Sequence, residues 1–270
     1  GAGALYLKTH TLSTVSRTQV RAGDLDGALT AADAAITLAR TFDPEGTVLV
    51  TALQRRAEAL TELGRTPEAQ QTLAEAVRLL ERAGSAPSEF NALLAIRIAL
   101  DQGRLDQARD AFAALAPLGE SAPVAKSVQR ILSQADIALA RNDTTGAARL
   151  AAEAIARATS SGQVATLGSA ISDGELIEGL AHLRAGDAAA ARPLLDSALS
   201  RRTALYLPKS PRIAEAQLAL AACALAQGQR QDATTLLAQA EAIQAQHSAL
   251  SPRYRLPLQH LRAQLGTHTQ

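Results

Sequence analysis

The chain has 270 residues, of which 47% are hydrophobic, 20% charged and 2% aromatic, with no Met and no Trp. Alanine fills 61 positions, and a Leu/Ala-rich chain poor in aromatic and β-branched residues argues for helices and against an all-β fold. The formal net charge of +1 supplies no overall field for nucleic-acid or membrane binding. No apolar run reaches the roughly 18 residues of a membrane helix. A single cysteine, Cys223, leaves no internal disulfide and no multi-cysteine metal site.

At the front, Gly1-Ala2-Gly3 without an initiator Met reads as a scar or processed end, and residues 1–7 as a scar or disordered terminus. The chain is expected to be a piece of a longer protein. From residue 8 to 250 one pattern recurs six times. A small turn residue is followed five positions later by Ala, and twelve positions later usually by Ala again. The instances are Gly23/Ala28/Ala35, Gly64/Ala69/Ala76, Gly103/Ala108/Leu115, Asn142/Ala147/Ala154, Gly186/Ala191/Ala198 and Gly228/Ala233/Ala240. Successive turn residues lie 41, 39, 39, 44 and 42 apart, a mean of 41.

Each unit reads as a helical hairpin. Helix A runs into the turn residue, where Gly or Asn suits the left-handed position that ends a helix. Helix B follows at once. Its two alanines lie two helical turns apart on one face, and their small side chains let helix A approach. Leu73, Phe112, Leu195 and Leu237 stand four after the first Ala and fill the same stripe.

The connections between hairpins carry the breakers, taken in order: Asp43-Pro44-Glu45-Gly46, Gly84-Ser85-Ala86-Pro87, Pro117-Leu118-Gly119-Glu120-Ser121, Ser160-Ser161-Gly162, Leu207-Pro208-Lys209-Ser210-Pro211 and Ser248-Ala249-Leu250-Ser251-Pro252. The glycine-bearing stretch from Gly162 through Gly168 to Gly174 accounts for the 44-residue step and reads equally as a flexible joint or as a helix weakened by glycine. Residues 251–265 predict a capping helix, with Leu256, Leu258, Leu261 and Leu265 covering the open end of the last hairpin. Residues 266–270 read as a tail.

The order Gly–Ala–Ala resembles the tetratricopeptide repeat, as do the small residues Ala57, Ala135, Gly179 and Ala221 seven before their turn residue. The resemblance covers about residues 8–247. It implies an all-α fold, a right-handed superhelical solenoid of about six hairpins with a C-terminal capping helix. Two features depart from the family: the period exceeds its usual 34, and its helix-A aromatics are mostly absent. HEAT and armadillo arrays have a period near this one, but the tight A-to-B turn with fixed alanines favours the tetratricopeptide reading.

Nothing in the sequence forms a catalytic constellation. There is no glycine-rich phosphate loop, no HExxH and no GxSxG. His10, His182, His247, His260 and His268 have no acidic or histidine partner at metal spacing. No catalytic residue, metal or cofactor is therefore expected. The expected partner is a protein or a peptide, nucleic acid is not favoured, and a homodimer is compatible with the sequence.

The tetratricopeptide resemblance places helix A on a concave, ligand-facing surface. The inward residues would be His10, Arg17 and Arg21, then Gln54, Arg55, Glu58 and Glu62, then Phe90, Arg97 and Asp101, then Gln129 and Asp136, then Asp173 and Arg184. A row of arginines with one aromatic suits a peptide bearing acidic groups, and equally reads as a mixed-charge solvated groove without a ligand. The Lys and Asn of the family's carboxylate clamp are missing. The inward positions of the sixth unit, Leu218, Ala222 and Ala226, are apolar. A second cluster lies in two loops expected at one end of the array. It comprises Arg201, Arg202, Tyr206, Lys209 and Arg212, with Arg253, Tyr254 and Arg255 one repeat on. As an exposed basic patch it would take an anion, a phosphorylated segment or nucleic acid, or stand only as a solvated edge.

The stretch from Ser210-Pro211-Arg212 through Leu220-Ala221-Ala222-Cys223 and Ala240-Glu241-Ala242-Ile243 to Pro257-Leu258 is similar to the C-terminal tetratricopeptide region of proteobacterial eukaryotic-type serine/threonine protein kinases. That resemblance implies a sensory or docking role in signalling. Kinase activity itself would belong to a part outside this sequence. The array would be periplasmic after a membrane helix and cytoplasmic without one. Two alternatives stand beside it: the sensing array of a transcription regulator, and a stand-alone scaffold.

Overall fold

A computed structural model describes residues 2–86, 88–119 and 121–266; Pro87, Glu120 and the tail residues 267–270, including His268, lie outside the described residues. Among the described residues the chain forms thirteen helices and no strand. They pair as six antiparallel hairpins: α1 (Ala2–Ala22) with α2 (Leu25–Phe42), α3 (Thr47–Glu62) with α4 (Thr66–Arg82), α5 (Glu89–Asp101) with α6 (Leu105–Ala113), α7 (Val124–Ala140) with α8 (Thr144–Ser160), α9 (Val164–Arg184) with α10 (Ala188–Leu205), and α11 (Pro211–Ala226) with α12 (Arg230–Gln244). The terminal helix α13 spans Pro252–Leu265.

The repeat pattern works through two local effects. All six turn residues, Gly23, Gly64, Gly103, Asn142, Gly186 and Gly228, have positive φ between 63° and 90°, where a Cβ is costly for most residues. The eleven patterned alanines are all at most 1% exposed. Each lies where helix B meets helix A, so backbone packs on backbone and cores interdigitate with few voids. Cys223 is buried beside Leu176, Ala191 and Leu195 as a small filler.

Two expectations need correction, and one choice between readings is decided. Helix α1 starts at Ala2, ahead of the expected boundary at residue 8, because Ala4-Leu5-Tyr6-Leu7 continues a helix-forming run. Gly168 and Gly174 lie inside the continuous helix α9, which is the second of the two readings of that stretch, a helix carrying glycines. Gly174 is a close-packing position, where a Cβ would come within 2.7 Å of Ile155 Cγ1. In the cap, Leu258, Leu261 and Leu265 pack with Leu218, Ala222 and Leu237, while Leu256 stays 43% exposed.

The thin part of the array is unit 3. Helix α6 has 9 residues, against 15–18 for the second helices of the other hairpins. It leaves a cavity of about 290 Å³ on the outer side, lined by Leu73, Val77, Ile98 and Gln102.

One superhelical turn also brings the end of the array back to its beginning. The Leu207 amide donates to the Ala22 carbonyl, and the Ser251 amide to the Glu62 carbonyl, both at 3.0 Å. The loops after α10 and α12 thus rest on the ends of α1 and α3.

Candidate functional site

Helices α3, α5, α7, α9 and α11 present one face each to the inside of this ring, and their polar side chains meet there. Buried Gln54 donates to Asn91 Oδ1 at 2.6 Å and to Ser88 Oγ at 3.2 Å, tying α3 to α5. Arg55 pairs with Glu58 at 2.5 Å, and its guanidinium carbon lies 4.3 Å from the centre of the Phe90 ring, a cation–π contact. Arg97 pairs with Asp136 at 3.2 Å. Asp173 takes Arg202 at 2.7 Å and Arg212 at 3.4 Å.

Residues from the two predicted groups meet in one network of ion pairs. Arg202 is fully buried and donates to Glu215 Oε2, the Arg212 carbonyl and Asp173 Oδ1, each at 2.7 Å. Arg253 pairs with Glu215 and reaches Asp136 at 3.8 Å. The Tyr254 hydroxyl donates to Glu62, which also faces Arg212 at 3.7 Å. Lys209 pairs with Asp24 at 2.7 Å. Arg201 pairs with Glu175 at 3.0 Å, and Arg212 lies 5.8 Å from the Tyr206 ring centre. The expected exposed basic patch is therefore mostly spent on the chain's own carboxylates. Tyr254 is 2% exposed, and of the trio 253–255 Arg255 alone faces solvent. Sequence spacing hid this because the partners come from opposite ends of the array.

The electrostatics reflect dense burial. Burial opposes the charge on Arg202, but Glu215 and Asp173 outweigh it and hold its pKa above the ordinary value. Burial lifts the carboxyls of Glu58, Asp136 and Glu215, against the pull of Arg55, Arg97 and Arg202 respectively. It pushes Asp101, which touches Ser251 and faces Arg97, Glu62 and Asp136, up to about 6. Burial and the Glu62 carboxylate push the Tyr254 phenol well up. At the ring's edge the hydrogen bond from Lys209 holds Asp24 down.

Between α3, α5 and α7 the concave side stays open as a cleft of about 470 Å³. Phe90, Leu93 and Leu100 supply apolar wall, Gln129 and Ser133 neutral hydrogen-bonding groups, and Glu58, Glu62, Arg97, Asp136 and Arg212 the charged floor. Six of the predicted concave residues thus converge here. His10, Arg17 and Arg21 do not; they are exposed on α1, with His10 stacked on Tyr6 at 6.5 Å. Arg184 is also outside the cleft, donating to the Leu139 carbonyl at 2.6 Å and so capping α7.

Sequence reasoning missed Asp24, Glu215, Ser210 and Ser251. A signal for the last two was present. Ser-Pro-Arg occurs at 210–212 and again at 251–253, 41 residues apart, which is the mean period of the array. Both serines precede a helix that starts at Pro, and both are buried, at 0% and 2% exposure.

Comparison with known proteins agrees with this architecture. Residues 177–246 match the tetratricopeptide repeat family. No curated protein matches the chain. A Rap protein crystallised with competence and sporulation factor superposes with a TM-score of 0.67 at 15% identity, covering 97% of this chain and 72% of that one. The apo form of RapI gives 0.57 at 12% identity, over 96% and 72%. A tetratricopeptide repeat protein from Parabacteroides merdae gives 0.56 at 16% identity, over 97% and 85%. The fold is therefore a tetratricopeptide-like, right-handed helical solenoid of six hairpins closed by a terminal helix.

Proposed function

We propose that the chain is a non-catalytic recognition domain that binds a peptide or protein segment in the cleft between α3, α5 and α7. The cleft itself carries the reading. Its volume, about 470 Å³, lies within the range of ligand sites, roughly 300–1,000 Å³. An aromatic anchor, Phe90, stands beside neutral hydrogen-bonding side chains. The concave arginines already serve the chain's own carboxylates, so what remains for a ligand is the apolar wall with Gln129 and Ser133, beside Lys126 in its ion pair with Glu89. The fitting segment carries a large apolar side chain against Phe90 and polar groups toward Gln129 and Ser133. It is not the acidic peptide that a row of arginines alone suggests. The Rap protein crystallised with competence and sporulation factor supports recognition of a partner by such an array.

Selection of binding segments from a random peptide library on the full chain tests this. Phe90→Ala should weaken the selected peptide by about tenfold or more, with helix content unchanged by circular dichroism. Arg255→Ala should leave binding as it is. Unchanged affinity in Phe90→Ala refutes the assignment.

We also infer, from the resemblance of residues 210–258, that the array is the docking or sensory region of a bacterial serine/threonine kinase. A kinase domain encoded on the same chain would support this. A helix-turn-helix in its place would overturn it in favour of a transcription regulator.

A further inference from the structure

The contacts that close the ring repeat with the register of the array. The loop ending in Ser210-Pro211-Arg212 lies on the end of α1, and the loop ending in Ser251-Pro252-Arg253 lies on the end of α3. In both, a loop amide at 3.0 Å satisfies a carbonyl in the last turn of a helix, Ala22 or Glu62, which has no partner within its own helix. In both, the turn glycine is pressed against the loop. A Cβ on Gly23 would collide with Ser210, and one on Gly64 would lie 2.6 Å from the Leu250 carbonyl oxygen and 3.0 Å from Ser251 Cα. The turn glycines 103, 186 and 228 have the same left-handed backbone but nothing within 4 Å of such a Cβ. Each loop then sends its arginine inward, Arg212 toward Glu62 and Asp173, Arg253 toward Glu215 and Asp136.

These contacts touch the cleft directly. Glu62 and Arg212 line it. Glu62 is held by the Ser251 amide on its carbonyl and by the Tyr254 hydroxyl on its carboxylate. Unit 3, with its short helix α6 and its outer cavity, lies between the two halves that the loops join.

We propose that residues 207–212 and 250–254 form a clasp that closes the array into a ring and, in closing, sets the floor of the cleft, so that the closed ring is the form that binds the peptide. The coupling rests on the peptide reading above; the clasp does not. When the clasp opens, Arg212 withdraws from Glu62, Tyr254 releases it, and unit 3 flexes. The cleft then loses its preorganised floor.

Gly64→Asn isolates the clasp. Asparagine is accepted at this backbone conformation, since Asn142 holds it in unit 4 at φ 63°, but its side chain cannot share space with Leu250 and Ser251. Gly228→Asn is the control, with open space at the same backbone setting. Tyr254→Phe is a second, milder release that deletes one hydroxyl. Small-angle scattering should show a larger radius of gyration for Gly64→Asn and the parent value for Gly228→Asn, with equal helix content by circular dichroism. Affinity for a peptide selected on the parent chain should fall about tenfold in Gly64→Asn, less in Tyr254→Phe, and not in Gly228→Asn. A parent-like scattering curve for Gly64→Asn overturns the clasp. An expanded Gly64→Asn with parent affinity overturns the coupling. If no peptide can be selected on the parent chain, the peptide reading falls and the coupling with it, while scattering still decides the clasp.

Discussion

Replacing Arg202 should be among the most damaging single changes in this protein. Its side chain is 0% exposed and donates at 2.7 Å to two carboxylates and one carbonyl. Its partner Glu215 is 8% exposed. Truncation to Met removes the cation but leaves Glu215 buried. Breaking a buried pair from one side costs about 3–5 kcal/mol, because the remaining charge cannot recover its hydration. For a chain of this size about 2–4 °C of melting temperature corresponds to each kcal/mol, so the shift should be roughly 6–20 °C. Asp173 keeps Arg212 and Glu215 keeps Arg253 on Oε1, so the penalty falls mainly on the buried Glu215 Oε2, which Arg202 held at 2.7 Å, and the shift belongs at the lower end of that range. Arg202→Met combined with Glu215→Gln should therefore recover at least half of the loss. Urea titration and thermal melting, followed by circular dichroism, measure both variants. A single variant within about 1 kcal/mol of the parent, or a double variant no better than the single, would refute the assignment of the cost to a buried carboxylate oxygen that has lost its cation.

Two further outcomes follow from the same geometry. The Asp101 pKa is raised from 3.8 to about 6, so the fold prefers its protonated form. Its contribution improves as pH falls through about 6 toward 4, and its charge at pH 7 opposes folding by at most about 3 kcal/mol. Asp101→Asn should thus be more stable than the parent at pH 7 and converge with it near pH 4; parallel melting-temperature profiles for the two would contradict this. Ala191→Leu should cost about 1–3 kcal/mol by overpacking, because Ala191 is fully buried in the stripe with Leu195 and Ala198. Ala189→Leu, two residues away and exposed, should stay within about 0.5 kcal/mol of the parent in the same denaturation assay.

The local half of this structure was legible because its causes are local. A turn residue that must adopt positive φ, followed by alanines two helical turns apart, specifies one hairpin without reference to anything distant. That rule placed all six turns and the buried alanine stripe. It left two readings open where composition and packing compete. Gly168 and Gly174 look like breakers, yet a glycine inside a helix costs only about 1 kcal/mol, and close contact with Ile155 makes Gly174 a packing position. Unit 3 carries the complementary lesson, since Leu115 in the second alanine slot was the visible mark of the one hairpin whose second helix is short.

The cleft was half legible. Tetratricopeptide geometry placed Glu58, Glu62, Phe90, Arg97, Gln129 and Asp136 on one surface, and they share a cleft. Which of their charges a ligand could use was not readable from the chain. Lys209 and Asp24 are 185 residues apart, and Tyr254 and Glu62 are 192 apart. Such pairs exist only because rotation per repeat accumulates to a full turn, and no local pattern encodes that sum. The sequence by itself determined the repeat, its period and its helical hairpins through backbone conformation and side-chain size. The tertiary structure alone decided that Arg55, Arg97, Arg202, Arg212 and Arg253 pair with the concave carboxylates, because burial and pairing depend on where distant segments meet.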